Sequence, residues 1–525
     1  MSFDLHFHPT TKSFLEANKP AARGSAWDCL NAGKIVPIDE VEGLTDDRLD
    51  SQSSLTQVCR GGMQLGIASI HAVEPDFMKP FEMGLIGLLT TLNHRLVRRI
   101  KKRQYTSYRY IHDELEHLIK ASKETRGPYS MVFARTKADL EKDQLNLLVS
   151  IEGGHCFLEE EVPTAMNYAD DALAQVICQR FEAFVDKYDS TVTFTFLTIT
   201  HIANGPLCAH AFAFAKKRVK PARKNSQLFF SQGPKGIRKV GHRIIEAALS
   251  RNVLLDVKHA SYYSRLQYYE KLKLEYPDRQ VPIIASHVGA AGYSFMEMRE
   301  EWKVSRMHLG ARYVKVYREF GIEGARFYPL SLNLFDEEIR LIVESGGLIG
   351  VSLDERISGS KSTSKPDQRN HEADYIHHEE YDFLVGDGYL ELNEQLFTAP
   401  RTVNYPSKMH GDVRYQSTTA RHLLHLCNNI LRFVYAGGPT TWKHLCLGSD
   451  FDGMIDAVDV CKTYESVDEL SGKLKAELEY LLLKMSDGDV LFYVDKNNLR
   501  ADLSNKVDDL MLHNGKRFVE QHFLV

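Results

Sequence analysis

The chain opens on Asp4-Leu5-His6-Phe7-His8-Pro9, and the two-residue spacing of its histidines is the first feature with chemical content. Alternate side chains of a β-strand project from one face, so on a strand His6 and His8 converge. Two imidazoles meeting at a strand end are half of a divalent-metal site. With 22 histidines in 525 residues, chance alone supplies about one such spacing. The pair gains meaning from the rest of the chain, where ligand-type residues close apolar segments again and again: Glu152, His201, His259, His287 and Asp450.

The elements that must position them form a regular series. Short apolar, β-branched runs occur at 3–8, 63–71, 145–152, 191–201, 253–259, 281–287, 347–353 and 444–450. Seven of the eight end in His, Glu or Asp. Between them lie segments with apolar residues at three- and four-residue spacing, around 172–185, 237–248, 335–343 and 420–434. Near-continuous apolar strands alternating with helices imply a parallel sheet buried on both faces. Eight such units imply an α/β fold of the (β/α)8 TIM-barrel type, whose catalytic residues stand at the carboxyl ends of the strands. An open doubly wound sheet is the alternative, but it would not gather ligands from six strand ends at one point. The reading is one domain over 1–525, with insertions at about 290–330 and 354–416 that follow strands and so belong over the active face.

Composition excludes several classes. Hydrophobic residues at 43% and charged residues at 26% describe an ordinary globular protein, and a net charge of −5 gives no general drive toward nucleic acid or anionic membrane. The eight cysteines include no C-x-x-C pair, which fits reduced thiols in a cytoplasmic protein. No apolar run reaches the roughly 18 residues of a membrane span. A candidate metal motif at residue 4 leaves no room for a signal peptide, so a cytoplasmic location is expected. There is no nucleophile elbow, phosphate-binding loop or dinucleotide fingerprint. The basic stretch His94 to Arg103 reads as a solvated helix face.

Five motifs occur in order: Ile151-Glu152-Gly153-Gly154-His155; Thr200-His201 with Asn204; Asp256-Val257-Lys258-His259-Ala260-Ser261; Ser286-His287; and Gly448-Ser449-Asp450-Phe451-Asp452-Gly453. In these the chain resembles the renal (membrane) dipeptidase family of the metal-dependent amidohydrolases, and Asn514 to Phe518 is similar to the start of that family's closing helix. The resemblance implies two divalent ions, with zinc as the expected metal although imidazole and carboxylate ligands also suit Mn²⁺, Fe²⁺ and Co²⁺. By similarity His6 and His8 hold one ion, His259 and His287 the other, and Glu152 bridges them. A hydroxide between the ions is the implied nucleophile. Asp450 is the implied general base, and His201 polarises the scissile carbonyl of a dipeptide or related small amide. Taken singly each residue has a plainer role: a buried histidine is usually a core residue, His155 could be a loop residue, and Asp452 suits a structural cap.

Three positions depart from the family pattern. His8 stands where the group usually carries Asp. Lys258 replaces a small residue beside His259, and strand alternation points it to the opposite face. In Leu332-Asn333-Leu334 the Leu replaces the arginine that grips a substrate carboxylate, while Asn333 is retained as a substrate-binding candidate. Leucine cannot form that ion pair. Arg299, Arg306 and the basic run 216–224 are candidate replacements. The sequence therefore supports a metallohydrolase acting on a small-molecule or dipeptide substrate. Its rivals are another amidohydrolase reaction (lactone, phosphoester or acyl-amino-acid hydrolysis) and a non-catalytic metal- or ligand-binding descendant. Asp450, which is not needed to hold metal, argues against the last. The family resemblance suggests a homodimer.

Overall fold

The computed structural model describes residues 1–16, 24–30, 50–74, 93–141, 143–158, 171–202, 205–213, 235–306, 313–317, 327–328, 330–359, 373–397 and 413–525. Among them are twelve strands: β1 Ser2–Phe7, β2 Met63–His71, β3 Met131–Phe133, β4 Leu145–Glu152, β5 Phe194–Thr198, β6 Leu254–Asp256, β7 Ile284–Val288, β8 Lys303–Arg306, β9 Tyr313–Tyr317, β10 Leu348–Val351, β11 Ala373–His377 and β12 Leu445–Leu447. Eight of these form a closed parallel barrel in the order β1-β2-β4-β5-β6-β7-β10-β12, with β12 returning to β1. Each of the eight apolar runs supplies one barrel strand. The short β3 adds a flanking strand beside β4.

All eight residues of β4 are buried, because the barrel interior lies on one side and helices on the other. The helix Asp171–Tyr188 buries Ala174, Ile177, Phe181, Phe184, Val185 and Tyr188, the three- and four-residue spacing of one helix face, with Phe181 on Phe157 and Phe184 on Phe194 of β5. Truncating Phe181 to Ala would cost about 3–5 kcal/mol. The helix Thr418–Gly437 starts where the Ser417 hydroxyl accepts from the Ala420 amide, and it packs on the helix Asp336–Glu344. At the opposite end of the barrel from the ligands, the Asn514 amide donates to the carbonyls of Trp442 and Leu445 and pins the closing helix Asn514–His522.

β7, β10 and β12 approach so closely that side chains are excluded at two places. A Cβ on Gly350 or Gly448 would stand 1.8 or 1.9 Å from the Ser286 carbonyl oxygen.

The described parts of both insertions carry regular structure. β8 and β9 of the first pair antiparallel, and β9 also pairs with β11 of the second, so both feed one three-stranded sheet. The signal was present in Val314-Lys315-Val316, whose valines are buried and whose lysine is half-exposed. Helices His378–Val385 and Asp387–Leu396 follow β11. Glu380, from the first of these, accepts from the Ser261 hydroxyl and the Gly236 amide, joining the second insertion to the turn after His259. The basic run 216–224, most of the Ser/Lys-rich stretch at 358–367, and Asn204 lie outside the described residues. Among the described residues no helix is long and apolar enough to cross a membrane. The described cysteines are all free thiols.

Candidate metal centre

Five of the eight barrel strands are shorter than their apolar runs, and several ligand-type residues stand just past strand ends. β1 stops at Phe7, yet the His8 amide donates to the Phe451 carbonyl and the Asp450 amide to the His6 carbonyl, both at 2.9 Å. These bonds hold residues 6–8 and 450–451 side by side and bring the His6 and His8 Nε2 atoms within 3.1 Å. β4 ends on Glu152, paired with His71 of β2 on one side and Thr198 of β5 on the other. β6 ends at Asp256, three residues before His259, whose backbone turns into the left-handed region at φ 65°. β7 carries His287.

Glu152 is the convergence point. Its Oε1 lies 3.2 Å from His259 Nε2, 3.7 Å from His6 Nε2, 3.8 Å from His287 Nε2 and 3.9 Å from His201 Nε2. Its Oε2 lies 3.4 Å from His8 Nε2 and 3.7 Å from His71 Nδ1. Burial pushes this carboxyl upward, but the surrounding imidazoles, His201 and His6 foremost, hold it well below the usual range. Burial also strips the charge from the rings: His259 is lowered to about 3, and His6 and His287 fall well below the ordinary value. His8 goes the other way, raised by Asp450 and Glu152 against its burial. The three neutral imidazoles beside an ionised carboxylate are in the protonation states that metal binding requires.

The donor set fits two divalent cations. His6, His8 and Glu152 form one group of candidate ligands, and Glu152, His259 and His287 another. Two nitrogens on one tetrahedral ion, each at about 2.0–2.1 Å, stand roughly 3.3 Å apart. The His6–His8 and His259–His287 Nε2 separations are 3.1 and 3.2 Å. His287 is further oriented through its other nitrogen. Nδ1 lies 2.8 Å from Ser286 Oγ, and that hydroxyl donates to Asp256 at 2.7 Å. The relay places the proton on Nδ1 and turns the Nε2 lone pair toward Glu152. Asp256 also accepts from the Thr198 hydroxyl, tying three neighbouring strands together.

Asp450 adopts φ 62° and places Oδ1 3.6 Å from His8 Nε2 and 3.9 Å from His6 Nε2, with Oδ2 3.9 Å from His287 Nε2. Burial raises its carboxyl to about 6 against the pull of His8. His201 follows β5 and donates from Nδ1 to Glu74 Oε1 at 2.7 Å. Asp452 has a structural part: it accepts from the amides of Gln52 and Ser53 and pairs with Lys12 at 2.8 Å. These bonds fix the approach to the helix Leu55–Arg60, whose cap is Ser54.

Asn333 is fully buried, and its amide bonds to backbone groups of Gly289, Tyr328 and Ile357. Leu332 packs with Ala211, Ala213, Tyr328, Leu330 and Ile357 in a small apolar cluster. Arg299 donates to the Val385 carbonyl and lies over the Tyr389 ring.

The strand alternation expected at Lys258 does not extend that far. Strand alternation would send it away from the histidines, but β6 has already ended at Asp256 and His259 is left-handed. Lys258 is instead 2% exposed, with its charge felt by His6, His259, His287 and Asp450. Among the described residues its ammonium has no hydrogen-bond partner. Burial lowers its pKa to about 8.

Sequence reasoning left two residues of the cluster unassigned. His71 ends β2 beside Glu152, and Glu74 follows three residues later, with its Oε2 3.5 Å from His71 Nε2. Burial opposes a charge on His71, but Glu74 and Glu152 raise it to about 9. The available signal was position, since His71 closes one of the seven apolar runs that end in a ligand-type residue. Glu74 stands beyond any strand and had none.

Fold and site together define a (β/α)8 barrel whose carboxyl-terminal mouth gathers buried histidines and carboxylates in groups able to hold divalent metal. No family model and no curated protein matches the sequence. Among solved structures the chain is similar to dipeptidase AC, a metallopeptidase of family M19, at 14% identity and TM-score 0.49, covering 100% of this chain and 99% of that one. A metallopeptidase from Rhodobacter sphaeroides, liganded with a phosphinate mimic of L-Ala-D-Ala, is 13% identical with TM-score 0.45 over 97% and 99%. The probable dipeptidase PvdM from Pseudomonas aeruginosa is 14% identical with TM-score 0.41 over 91% and 96%.

Proposed function

We propose that this chain is a metal-dependent hydrolase of small amides, with one divalent ion on His6 and His8, a second on His259 and His287, and Glu152 between them. The observation that carries the reading is the pairing of four buried Nε2 atoms around one buried carboxylate. Ions so placed acidify water and polarise a carbonyl or phosphoryl oxygen, and zinc suits the donors. Asp450 stands within 3.9 Å of His6, His8 and His287, placed to take a proton from the attacking water and return it to the leaving amine. His201, turned by Glu74, directs Nε2 toward Glu152 and would stabilise negative charge developing on the scissile oxygen.

The substrate favoured is a dipeptide or an acylated amino acid. Lactone or phosphoester hydrolysis is the second reading. It is favoured by Leu332, which fills with apolar contacts the position where the resembling family keeps its carboxylate-binding arginine.

The test is elemental analysis of the purified protein together with turnover on dipeptides, acyl-amino acids, lactones and phosphoesters. Bound metal with amide cleavage is the expected result. Cleavage confined to lactones or phosphoesters selects the second reading. Metal without turnover on any of them, in a protein whose Asp450→Asn variant behaves identically, overturns both and leaves a binding protein.

A further inference from the structure

A second group of ligand-type side chains lies beside the centre: His71 at the end of β2, Glu74 just beyond it, and His155 in the turn Gly154–Phe157 after β4. One ligating atom of each lies within 4.8 Å of the other two. His71 and Glu74 are buried and His155 is half-buried.

The proton positions make the group specific. His71 Nδ1 lies 3.1 Å from the Glu152 carbonyl oxygen, and His155 Nε2 lies 2.6 Å from the Ala72 carbonyl oxygen. A carbonyl only accepts, so both nitrogens donate. This leaves a lone pair on Nδ1 of the neutral His155 ring, and one on His71 Nε2 once a metal displaces its proton. A histidine anchored on a carbonyl through one nitrogen, with the other free, is the usual arrangement of a metal ligand. Glu74 is held in the same way: Oε1 accepts from His201 Nδ1 at 2.7 Å and from the Ile202 amide at 3.3 Å. Oε2 remains, facing His71 Nε2 at 3.5 Å. Gly153 makes the turn possible at φ 92°, because a Cβ there would stand 2.4 Å from the His155 ring.

We propose that His71, Glu74 and His155 form a third divalent-metal site, separate from the pair around Glu152. Two imidazoles and one carboxylate with open positions suit a first-row cation such as Zn²⁺, Fe²⁺ or Mn²⁺. An ion on Glu74 Oε2 would leave Oε1 on His201, so its charge would reach the central cluster through that ring. The assignment does not rest on the dinuclear reading, since none of its three ligands is among His6, His8, Glu152, His259 and His287. A proton shared between His71 and Glu74 is the competing occupant.

The experiment strips the full-length protein with a chelator, dialyses it against Zn²⁺ and counts bound zinc in the parent, His155→Gln and Glu74→Gln, with thermal melting to confirm folding. Three ions in the parent and two in each variant is the expected result. One ion in the parent and none in the variants supports this site and removes the dinuclear reading. The same count in all three proteins overturns the site, leaving a proton between His71 and Glu74. Loss of two or more ions on His155→Gln, in a folded protein, overturns a separate site by placing His155 in the central one. Should the variants not fold, anomalous scattering from zinc-loaded parent crystals decides: a peak between His71 and His155 supports the site, and its absence overturns it.

Discussion

Glu152 and Glu74 are both buried glutamates ringed by imidazoles, linked through His201, and they differ in what holds them. Around Glu152 the neighbours are ring nitrogens at 3.2–3.9 Å, and among the described residues no backbone amide donates to its carboxylate. Glu74 has one oxygen fixed by the His201 ring and the Ile202 amide, and the other faces only His71 Nε2, at 3.5 Å, among the described residues. The histidines differ in parallel. His6, His8 and His259 have no hydrogen-bond partner on Nδ1 among the described residues, whereas His71 and His155 are anchored on carbonyls. A carboxylate without fixed donors can serve two ions at once. One already held on one side can serve a single ion while steering a neighbour.

Substitutions at the two glutamates should therefore behave differently. The largest effect is expected from Glu152→Gln, which removes the shared charge: both central ions should be lost and turnover should fall below detection, read by elemental analysis and hydrolysis assays. Retention of both ions would break the comparison outright. Asp450→Asn should keep the metals and lower kcat by about 10²–10⁴-fold, as removal of a general base does. Ser286→Ala takes away the acceptor of the His287 Nδ1 proton, and metal affinity should weaken by about 10–100-fold. Glu74→Gln should reduce kcat by a similar or smaller factor through His201, with KM little changed and the two central ions retained. Lys258→Met should have the smallest effect on metal content. It replaces a buried ammonium that has no hydrogen-bond partner among the described residues by an uncharged thioether chain, so stability should rise by about 1 kcal/mol or more, read as a higher melting temperature. Any loss of affinity should be confined to substrates carrying a carboxylate.

Much of the barrel was legible because its signals are local. Strands such as Leu145–Glu152 are apolar throughout, and a ligand-type residue marks the end of seven of the eight runs. That Glu152 stands between the histidine pairs was implied by the family resemblance and not by the strand pattern. The alternation argument for Lys258 was carried past Asp256, where the strand has ended and the backbone turns left-handed at His259. Glu74 was missed because nothing in its neighbourhood distinguishes a buried glutamate from a solvated one. The sheet shared by the insertions was hidden by distance along the chain: Tyr313–Tyr317 and Ala373–His377 lie on either side of β10, and pairing between remote segments leaves no local pattern.

That sheet also constrains how the molecule can be changed. β9 is its central strand, hydrogen-bonded to β8 on one edge and β11 on the other. Excising the second insertion would strip β11 from β9, and excising the first would remove β9 and leave β11 unpaired; either cut leaves backbone donors and acceptors open for a neighbouring chain to pair with. A shortened version should therefore be made by removing both insertions together. A chimera that borrows only one should be prone to aggregation, even with its barrel intact.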